Sequence, residues 1–241
     1  MKMQKVVFAI PMYNAAKHLN DLISSLKDQT NENWEAIIVN DMSDDNSIET
    51  FNTYTSGDSR FSLINNTEKK WALKNVVEVA RKYENEEGII IANLDADDCL
   101  CNENTVELLI KNYDEETDTL WTGHSWDING LNISQRMPTP NGINLDPYQF
   151  PWCSSHLKTF RSTLLRDISD KNFKDLDGNW FKRGYDQALY LPLLHKSRKR
   201  KYLDEICYLY RINSSSIKTR EWSEKEQLST VTLVRSRGFI E

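Results

Sequence analysis

The chain has 241 residues, 27% of them charged, and a net charge of −6, a composition typical of a folded globular protein with one large α/β domain or two small ones. The negative charge argues against a surface that coats nucleic acid. The sequence contains no apolar stretch of membrane-spanning length and no N-terminal signal peptide, so we expect a soluble, cytoplasmic protein.

Short apolar runs alternate with amphipathic segments over the first hundred positions. The apolar runs predict strands over residues 5–10, 34–39, 61–64 and 88–93. The segments between them predict helices over residues 16–29, 45–54 and 71–83. Strand–helix alternation of this kind indicates a mostly parallel sheet with flanking helices and right-handed crossovers.

The second half of the chain is less regular. Helices are predicted over residues 105–113, 160–168, 185–196 and 222–237, and strands over residues 119–127 and 201–211. The stretch 129–151 between them contains four prolines, which predicts a long loop. We therefore expect a mixed region after the regular first half.

Asp95, Asp97 and Asp98 directly follow the fourth predicted strand. Carboxylates this close repel one another unless positive charge neutralises them. A divalent cation that carries phosphate oxygens would do so, because hard cations take oxygen ligands and keep positions open for substrate. An isolated Asp-x-Asp would more often be a solvated acidic turn. A metal site is therefore predicted only if other polar clusters of the sequence fall at the same edge of the sheet.

Two further polar clusters follow the first and second predicted strands, at residues 12–14 and 40–45. In open α/β sheets, ligands bind outside the carboxyl ends of the strands, so the three clusters predict one nucleotide-and-metal pocket. The sequence has no Gly-x-Gly-x-x-Gly and no Walker-type loop, so the metal and basic side chains would hold the phosphates. The candidate basic side chains are Lys69, Lys70, Lys74 and Arg211.

Three segments together resemble motifs of glycosyltransferase family 2: Ile10-Pro11-Met12-Tyr13-Asn14, the acidic run 40–47, and Leu94-Asp95-Ala96-Asp97-Asp98. Their spacing is also similar to that of the family, and the match is close over residues 1–100. The resemblance implies an α/β, GT-A-type, Rossmann-like sheet, mostly parallel and flanked by helices, with a mixed acceptor-side subregion. It implies one domain over 1–241, with a nucleotide-sugar-binding half (1–100) and an acceptor-binding and catalytic-base half (101–241).

The resemblance also assigns roles at the donor site. Pro11 and Tyr13 would pack near the base and ribose of a nucleotide-diphosphate sugar, usually a UDP-sugar, and Asp41 would accept a hydrogen bond from the base. Asp97 would be the principal ligand of Mn2+ or Mg2+, with Asp95 beside it. The predicted donor set is Pro11, Tyr13, Asn14, Asp41, Lys74, Asp95, Ala96 and Arg211, and the metal set is Asp97 and Asp95.

The sequence departs from the family pattern in two places. Asn40 stands where an aspartate is common, which bears on the contacts to the base. The stretch 208–216 resembles a Tyr-Arg-x-His region whose histidine can complete a metal site, and Asn213 stands in its place. The metal would then have fewer protein ligands, or a neighbouring residue would replace the histidine.

Inverting glycosyl transfer needs a general base that takes the proton of the acceptor hydroxyl. The family places an acidic residue at the start of a helix in its second half, and Arg183-Gly184-Tyr185-Asp186 is similar, with Tyr185 where a glutamate is usual. From this similarity we predict Asp186 as the base, and its position at a helix N-terminus would favour the charged carboxylate that a base requires. The alternative is an ordinary N-terminal helix aspartate.

Trp152, His156 and Trp180 are the predicted acceptor-binding residues. His156 opens a His-Leu-Lys-Thr-Phe-Arg stretch similar to one in some family members, and the two tryptophans lie in predicted loops, where indole faces could stack on sugars. A lone histidine is more often a structural hydrogen-bonding group, and tryptophans more often fill cores.

Three functions remain open at this point. The leading one is an inverting, metal-dependent glycosyltransferase acting on a hydroxyl acceptor, in the first place a glycan. The basic run 196–201 leaves a polyanionic acceptor such as hydroxylated DNA as an alternative. A third is a nucleotide-sugar-binding module without turnover. A nucleotidyltransferase is disfavoured, because no basic Gly-rich loop follows the first strand.

Overall fold

The computed structural model describes residues 4–212 and 220–241. Within these residues, eight strands form one mixed sheet in the order β3-β2-β1-β4-β7-β6-β8-β5. The strands are β1 (Lys5–Met12), β2 (Trp34–Asn40), β3 (Phe61–Asn65), β4 (Ile89–Asn93), β5 (Cys99–Leu100), β6 (Thr117–Trp126), β7 (Lys158–Arg161) and β8 (Lys199–Tyr210). The first four are parallel, as the strand–helix alternation predicts.

The helices cover both faces of this sheet. They are α1 (Leu19–Lys27), α2 (Ser47–Thr55), α3 (Trp71–Arg81), α4 (Thr105–Asn112), α5 (Tyr185–Lys196) and α6 (Arg220–Arg237). Successive strand residues point to opposite faces. In β1, Val7 packs into a core with α3 and α5, whereas Val6 and Phe8 pack into a second core with α1 and α4.

The helix predicted over 160–168 is wrong at its start. Lys158–Arg161 is the strand β7, and only Ser162–Asp167 turns, as a 3-10 helix. Phe160 lies between Ile91 of β4 and Thr119 of β6 in the sheet and is fully buried. A four-residue strand is too short to show its own periodicity, so pairing with distant strands decides the conformation.

β7 also determines which residues meet at the sheet edge. It runs antiparallel to both β4 and β6, so its first residue, Lys158, pairs with Asn93 at the end of β4. β8 is parallel to β6, and the two end together at Trp126 and Tyr210. The ends of β1, β2, β4, β6 and β8 and the beginning of β7 therefore lie along one edge.

Over the described ranges, none of the helices combines the length and the apolar composition that crossing a membrane requires.

Candidate active site

A cavity of about 500 Å³ opens at this edge of the sheet. It receives residues from both halves of the chain, because the ends of the parallel strands and the beginning of β7 meet there. Nine of the predicted site residues line it: Pro11, Tyr13, Asp41, Asp95, Ala96, Asp97, His156, Asp186 and Arg211.

Asp41 holds the beginning of α3 against the end of β2. Its carboxylate accepts hydrogen bonds from the backbone N–H groups of Lys70 (2.8 Å) and Trp71 (2.9 Å) and from the Asn66 amide (2.9 Å). Burial raises the pKa of Asp41, but these hydrogen bonds outweigh it and hold the pKa below its ordinary value. The residue is therefore a charged cap of α3, and it lies in the wall of the cavity.

A cation and two aromatic rings stand beside Asp41. Lys69 Nζ lies 2.9 Å from the centroid of the Tyr13 ring and 5.6 Å from that of Trp71. It also lies 3.5 Å from Asp41 Oδ2. Trp71 contacts Trp222 of α6, with ring centroids 5.7 Å apart. This end of the cavity thus offers flat apolar faces and a positive charge, the features that suit a nucleoside and its phosphates.

The three carboxylates after β4 have different surroundings. Asp98 is buried and accepts hydrogen bonds from Tyr208 Oη and from the Arg211 N–H, both at 2.7 Å. Burial and repulsion from its neighbours raise the pKa of Asp98 to about 9. Asp98 therefore anchors the end of β8, while Asp95 and Asp97 line the cavity.

Asp95 and Asp97 offer the donor chemistry that a hard divalent cation prefers. Burial, followed by repulsion from Asp186 and Asp97, raises the pKa of Asp95 to about 7. A bound cation would offset the repulsion among these carboxylates, and in this sense the residues fit Mn2+ or Mg2+. Among the residues that the structure describes, no group of three or more His, Cys, Asp or Glu side chains is placed to hold a metal. Asn213, which replaces the family histidine, lies outside that part of the chain.

Asp186 enters the cavity from the first turn of α5. This helix begins after Gly184, which has φ 66° and lies so close to α6 that an added Cβ would be 3.0 Å from Gln227 O. Tyr185, at the position where a glutamate is usual, donates its hydroxyl to Asp95. Tyr185, the neighbour of the candidate base Asp186, therefore links α5 to the acidic cluster through this hydrogen bond.

The buried side chain of Lys158 forms an ion pair with Asp186. Lys158 is fully buried, with Nζ 2.5 Å from Asp186 Oδ1 and 3.2 Å from His156 Nδ1. Burial raises the pKa of Asp186, but Lys158 and, to a smaller extent, His156 and Arg183 together outweigh it and hold the pKa below its ordinary value. A lysine ammonium can only donate, so His156 Nδ1 accepts and its Nε2 carries the proton. Burial and Lys158 hold the pKa of His156 well below its ordinary value, so this ring is neutral.

Replacement of Lys158 by Met is expected to destabilise the fold by about 1–3 kcal/mol, less than for a fully buried pair, because it leaves the Asp186 carboxylate, whose side chain is 33% exposed, without its positive partner. It also removes the charge that lowers the pKa of Asp186, so that pKa rises. The acidic limb of the kcat/KM pH profile should therefore move to higher pH. Urea unfolding and the pH profile measure the two effects.

The double variant Lys158→Met/Asp186→Asn is the control for the stability effect. It removes both charges and should recover much of the lost stability. If it is as unstable as the two single variants added together, the ion pair is not the reason that Lys158 stabilises the fold.

A second cavity of about 190 Å³ adjoins the first beside Asp186. Trp152 lies in its wall, together with Trp126 and Tyr210, whose ring centroids are 6.3 Å apart. His156 lines both cavities and stacks on Tyr208 and Tyr210, at 4.6 and 5.0 Å between centroids. Two of the three predicted acceptor residues therefore lie next to the candidate base.

Three predicted site residues line neither cavity. Asn14 turns toward the loop after β2, where it donates to Asp44 Oδ1 (2.5 Å) and accepts from the Asp44 N–H (2.9 Å). Lys74 lies between Glu68 and Glu78 at 3.9 and 3.8 Å, because it falls on the outer side of α3. Trp180 stacks on Phe173, with ring planes 12° apart. In all three cases these contacts are with other residues of the chain outside the two cavities.

The basic run 196–201 is occupied within the protein. It spans the end of α5 and the beginning of β8. Its side chains bind internal partners: Lys196 binds Glu241, Arg198 binds Asp118, Lys199 binds Asp114, Arg200 binds Leu145 O and Leu194 O, and Lys201 binds Asn112 O. The run therefore gives no support to a polyanionic acceptor.

Sequence reasoning did not identify several residues that line the site. Lys182 and Arg183 bring positive charge to the first cavity, and Trp222 joins it from α6. Lys158 is part of the stretch that we compared with family members, but nothing in a sequence shows that a lysine is buried. The tertiary structure alone places it against Asp186.

A family model described as glycosyl transferase family 2 matches residues 7–169, more than half of the chain. The chain belongs to this family and is a glycosyltransferase that uses a nucleotide-sugar donor. The matched range contains the acidic cluster and Lys158 but ends before Asp186.

One similar protein is the Escherichia coli UDP-Glc:alpha-D-GlcNAc-diphosphoundecaprenol beta-1,3-glucosyltransferase WfgD. It is 28% identical over 220 residues, which cover 91% of this chain and 81% of WfgD. Among solved structures, S. aureus TarS 1–349 in complex with UDP superposes with a TM-score of 0.69 at 19% identity, covering 99% of this chain and 67% of that one. A mannosyltransferase from Pyrobaculum calidifontis, in complex with GDP-Man and Mn2+, superposes with a TM-score of 0.60 at 13% identity, covering 96% and 65%. These two structural similarities confirm the GT-A-type fold.

Proposed function

We propose that the chain is an inverting, metal-dependent glycosyltransferase that moves a sugar from a UDP-sugar to a hydroxyl group of a glycan acceptor. The observation that carries this proposal is the placement of three carboxylates, from two different parts of the chain, in one cavity. Asp95 and Asp97 follow β4, and Asp186 faces them from α5 with its charge held by Lys158. Inversion needs a base that is separate from the groups that bind the diphosphate, because the acceptor attacks on the side opposite the departing diphosphate.

The residues divide the reaction between the two ends of the cavity. Tyr13 and Trp71 would pack against the nucleoside, and Lys69 would face its phosphates. A cation bound by Asp97 and Asp95 would neutralise the negative charge of the departing diphosphate. Asp186, ionised at neutral pH, would accept the proton of the acceptor hydroxyl.

The comparisons support the choice of donor and acceptor. WfgD carries UDP-Glc and a diphosphoundecaprenol-linked GlcNAc in its name, and the TarS structure contains UDP. The Mn2+ in the mannosyltransferase structure supports a divalent cation. A binding module without turnover would not require an ionised carboxylate such as Asp186 in the same cavity as the acidic cluster.

A donor-hydrolysis screen tests the proposal. The protein is incubated with a panel of UDP-, GDP-, ADP- and dTDP-sugars and either Mn2+ or Mg2+, and the released nucleotide is measured. We expect slow release from at least one UDP-sugar, loss of release with EDTA, and recovery with excess metal. No release from any donor would contradict the enzyme assignment, and release unaffected by EDTA would contradict metal dependence.

A further inference from the structure

The second cavity has the position of a subsite for the molecule that receives the sugar. It shares five lining residues with the first cavity: His156, Gly184, Asp186, Tyr210 and Gln227. A group bound there would therefore contact Asp186 on one side and face the donor on the other. Its volume of about 190 Å³ is below the range of about 300–1,000 Å³ usual for drug-sized ligands, so it suits a single ring.

The charges around this cavity limit what it can bind. Of the described residues that line it, Asp186 alone is charged, and its positive partner Lys158 is fully buried beneath it. A carboxylate or phosphate placed here would meet no cation among the described residues of the wall and would face the Asp186 carboxylate. Such a group would lose its hydration without gaining a partner.

The remaining walls combine flat apolar faces with neutral hydrogen-bonding groups. Trp126, Ile133 and Trp152 supply the apolar surface, and the indole faces match the C–H face of a sugar ring. Arg235 donates to Gln187 Oε1 at 2.6 Å, which leaves the Gln187 amide nitrogen to donate to a ligand. His156, protonated on Nε2, is a second neutral donor.

From this arrangement we propose, on the basis of the function proposed above, that the second cavity is an acceptor subsite for one uncharged, hydroxyl-bearing sugar ring. The ring packs on Trp152 and Trp126 and directs a hydroxyl at Asp186. Acidic sugars and phosphorylated polyols are excluded as the unit that receives the transferred sugar.

Acceptor competition tests the charge selectivity. With the donor found in the hydrolysis screen, transfer is measured to p-nitrophenyl glycosides of neutral hexoses and N-acetylhexosamines and to p-nitrophenyl glucuronide. We expect kcat/KM for the best neutral acceptor to exceed that for the glucuronide by about tenfold or more, as one repulsive contact at protein dielectric implies. Equal or faster transfer to the glucuronide would overturn the proposal.

A charge placed in the cavity wall should change this preference. Ile133 lines the cavity and is 42% exposed, so Ile133→Lys can be accommodated without disturbing the core. It should raise the glucuronide-to-neutral ratio by about fivefold or more, because the ammonium supplies the missing partner. Ile143→Lys makes the same charge change at a side chain that is 68% exposed and lines neither cavity, and it should leave the ratio unchanged. If both variants change the ratio equally, or neither changes it, the cavity does not select the acceptor.

A binding experiment without donor separates this proposal from the proposed function. Saturation-transfer NMR with the same glycosides should detect neutral rings on the wild-type protein, and Trp152→Ala should weaken that binding by about tenfold. If no nucleotide is released in the hydrolysis screen, the proposed enzymatic function is rejected. The binding measurement then still shows whether the second cavity binds neutral sugar rings. Neutral binding that does not depend on Trp152, or stronger binding of the glucuronide, would reject the subsite alone.

Discussion

Replacement of Asp186 by Asn is expected to lower kcat for transfer by about 10²–10⁴-fold, the usual contribution of a positioned general base. The amide has nearly the same shape but cannot accept the acceptor proton. Nucleotide binding should change little, because the nucleoside end of the cavity is formed by residues of β1, the loop after β2 and α3. Steady-state kinetics and calorimetric UDP titration measure the two properties.

This variant leaves Lys158 without its charged partner, so its fold must be verified by thermal unfolding. A folded variant that retains most of its transfer activity would show that Asp186 is not the base. A folded variant that no longer binds UDP would show that the residue has a structural role at the donor site.

Replacement of Asp97 by Ala should abolish transfer and the metal dependence of UDP binding. Electrostatic stabilisation by a bound cation amounts to several kcal/mol, so kcat/KM should fall by about 10³-fold or more. The proposed cause is local, because the side chain lines the cavity beside Asp95. UDP titrations with Mn2+ and with EDTA measure the effect.

Asp177→Ala is a suitable control for Asp97→Ala, because it removes an exposed aspartate that lines neither cavity. Its kinetics should match those of the wild-type protein. An Asp97→Ala variant with full activity, or with UDP binding that still tightens with Mn2+, would show that Asp97 is not the principal ligand of the metal.

The regular half of the fold could be predicted because its signals are local. Buried strands read as apolar runs, and α1 shows Leu19, Leu22, Ile23 and Leu26 on one face, as observed. β7 could not be predicted, because its four residues are extended only through pairing with β4 and β6. The mixed order of the second half depends on such long-range pairs, which no local pattern contains.

The same distinction between local and long-range information applies to the residues of the site. Asp95, Asp97 and Tyr13 could be placed in one cavity, because the carboxyl ends of parallel strands meet at one edge. Asn14 also follows the end of a parallel strand, but its side chain forms hydrogen bonds with Asp44 in the neighbouring loop and does not enter the cavity. The sequence does not show which of these two directions the side chain takes. Lys158 was missed because burial of a charge depends on its partner, and Asp186 is 28 residues away.

The arrangement of the donor is tested most directly by a crystal structure of the protein with UDP and Mn2+, with the metal located by its anomalous scattering. We expect the manganese beside Asp95 and Asp97, bound to diphosphate oxygens, and the uracil near Tyr13 and Asp41. Ordered UDP elsewhere on the protein, or UDP in the cavity with no metal at these two carboxylates, would contradict the account.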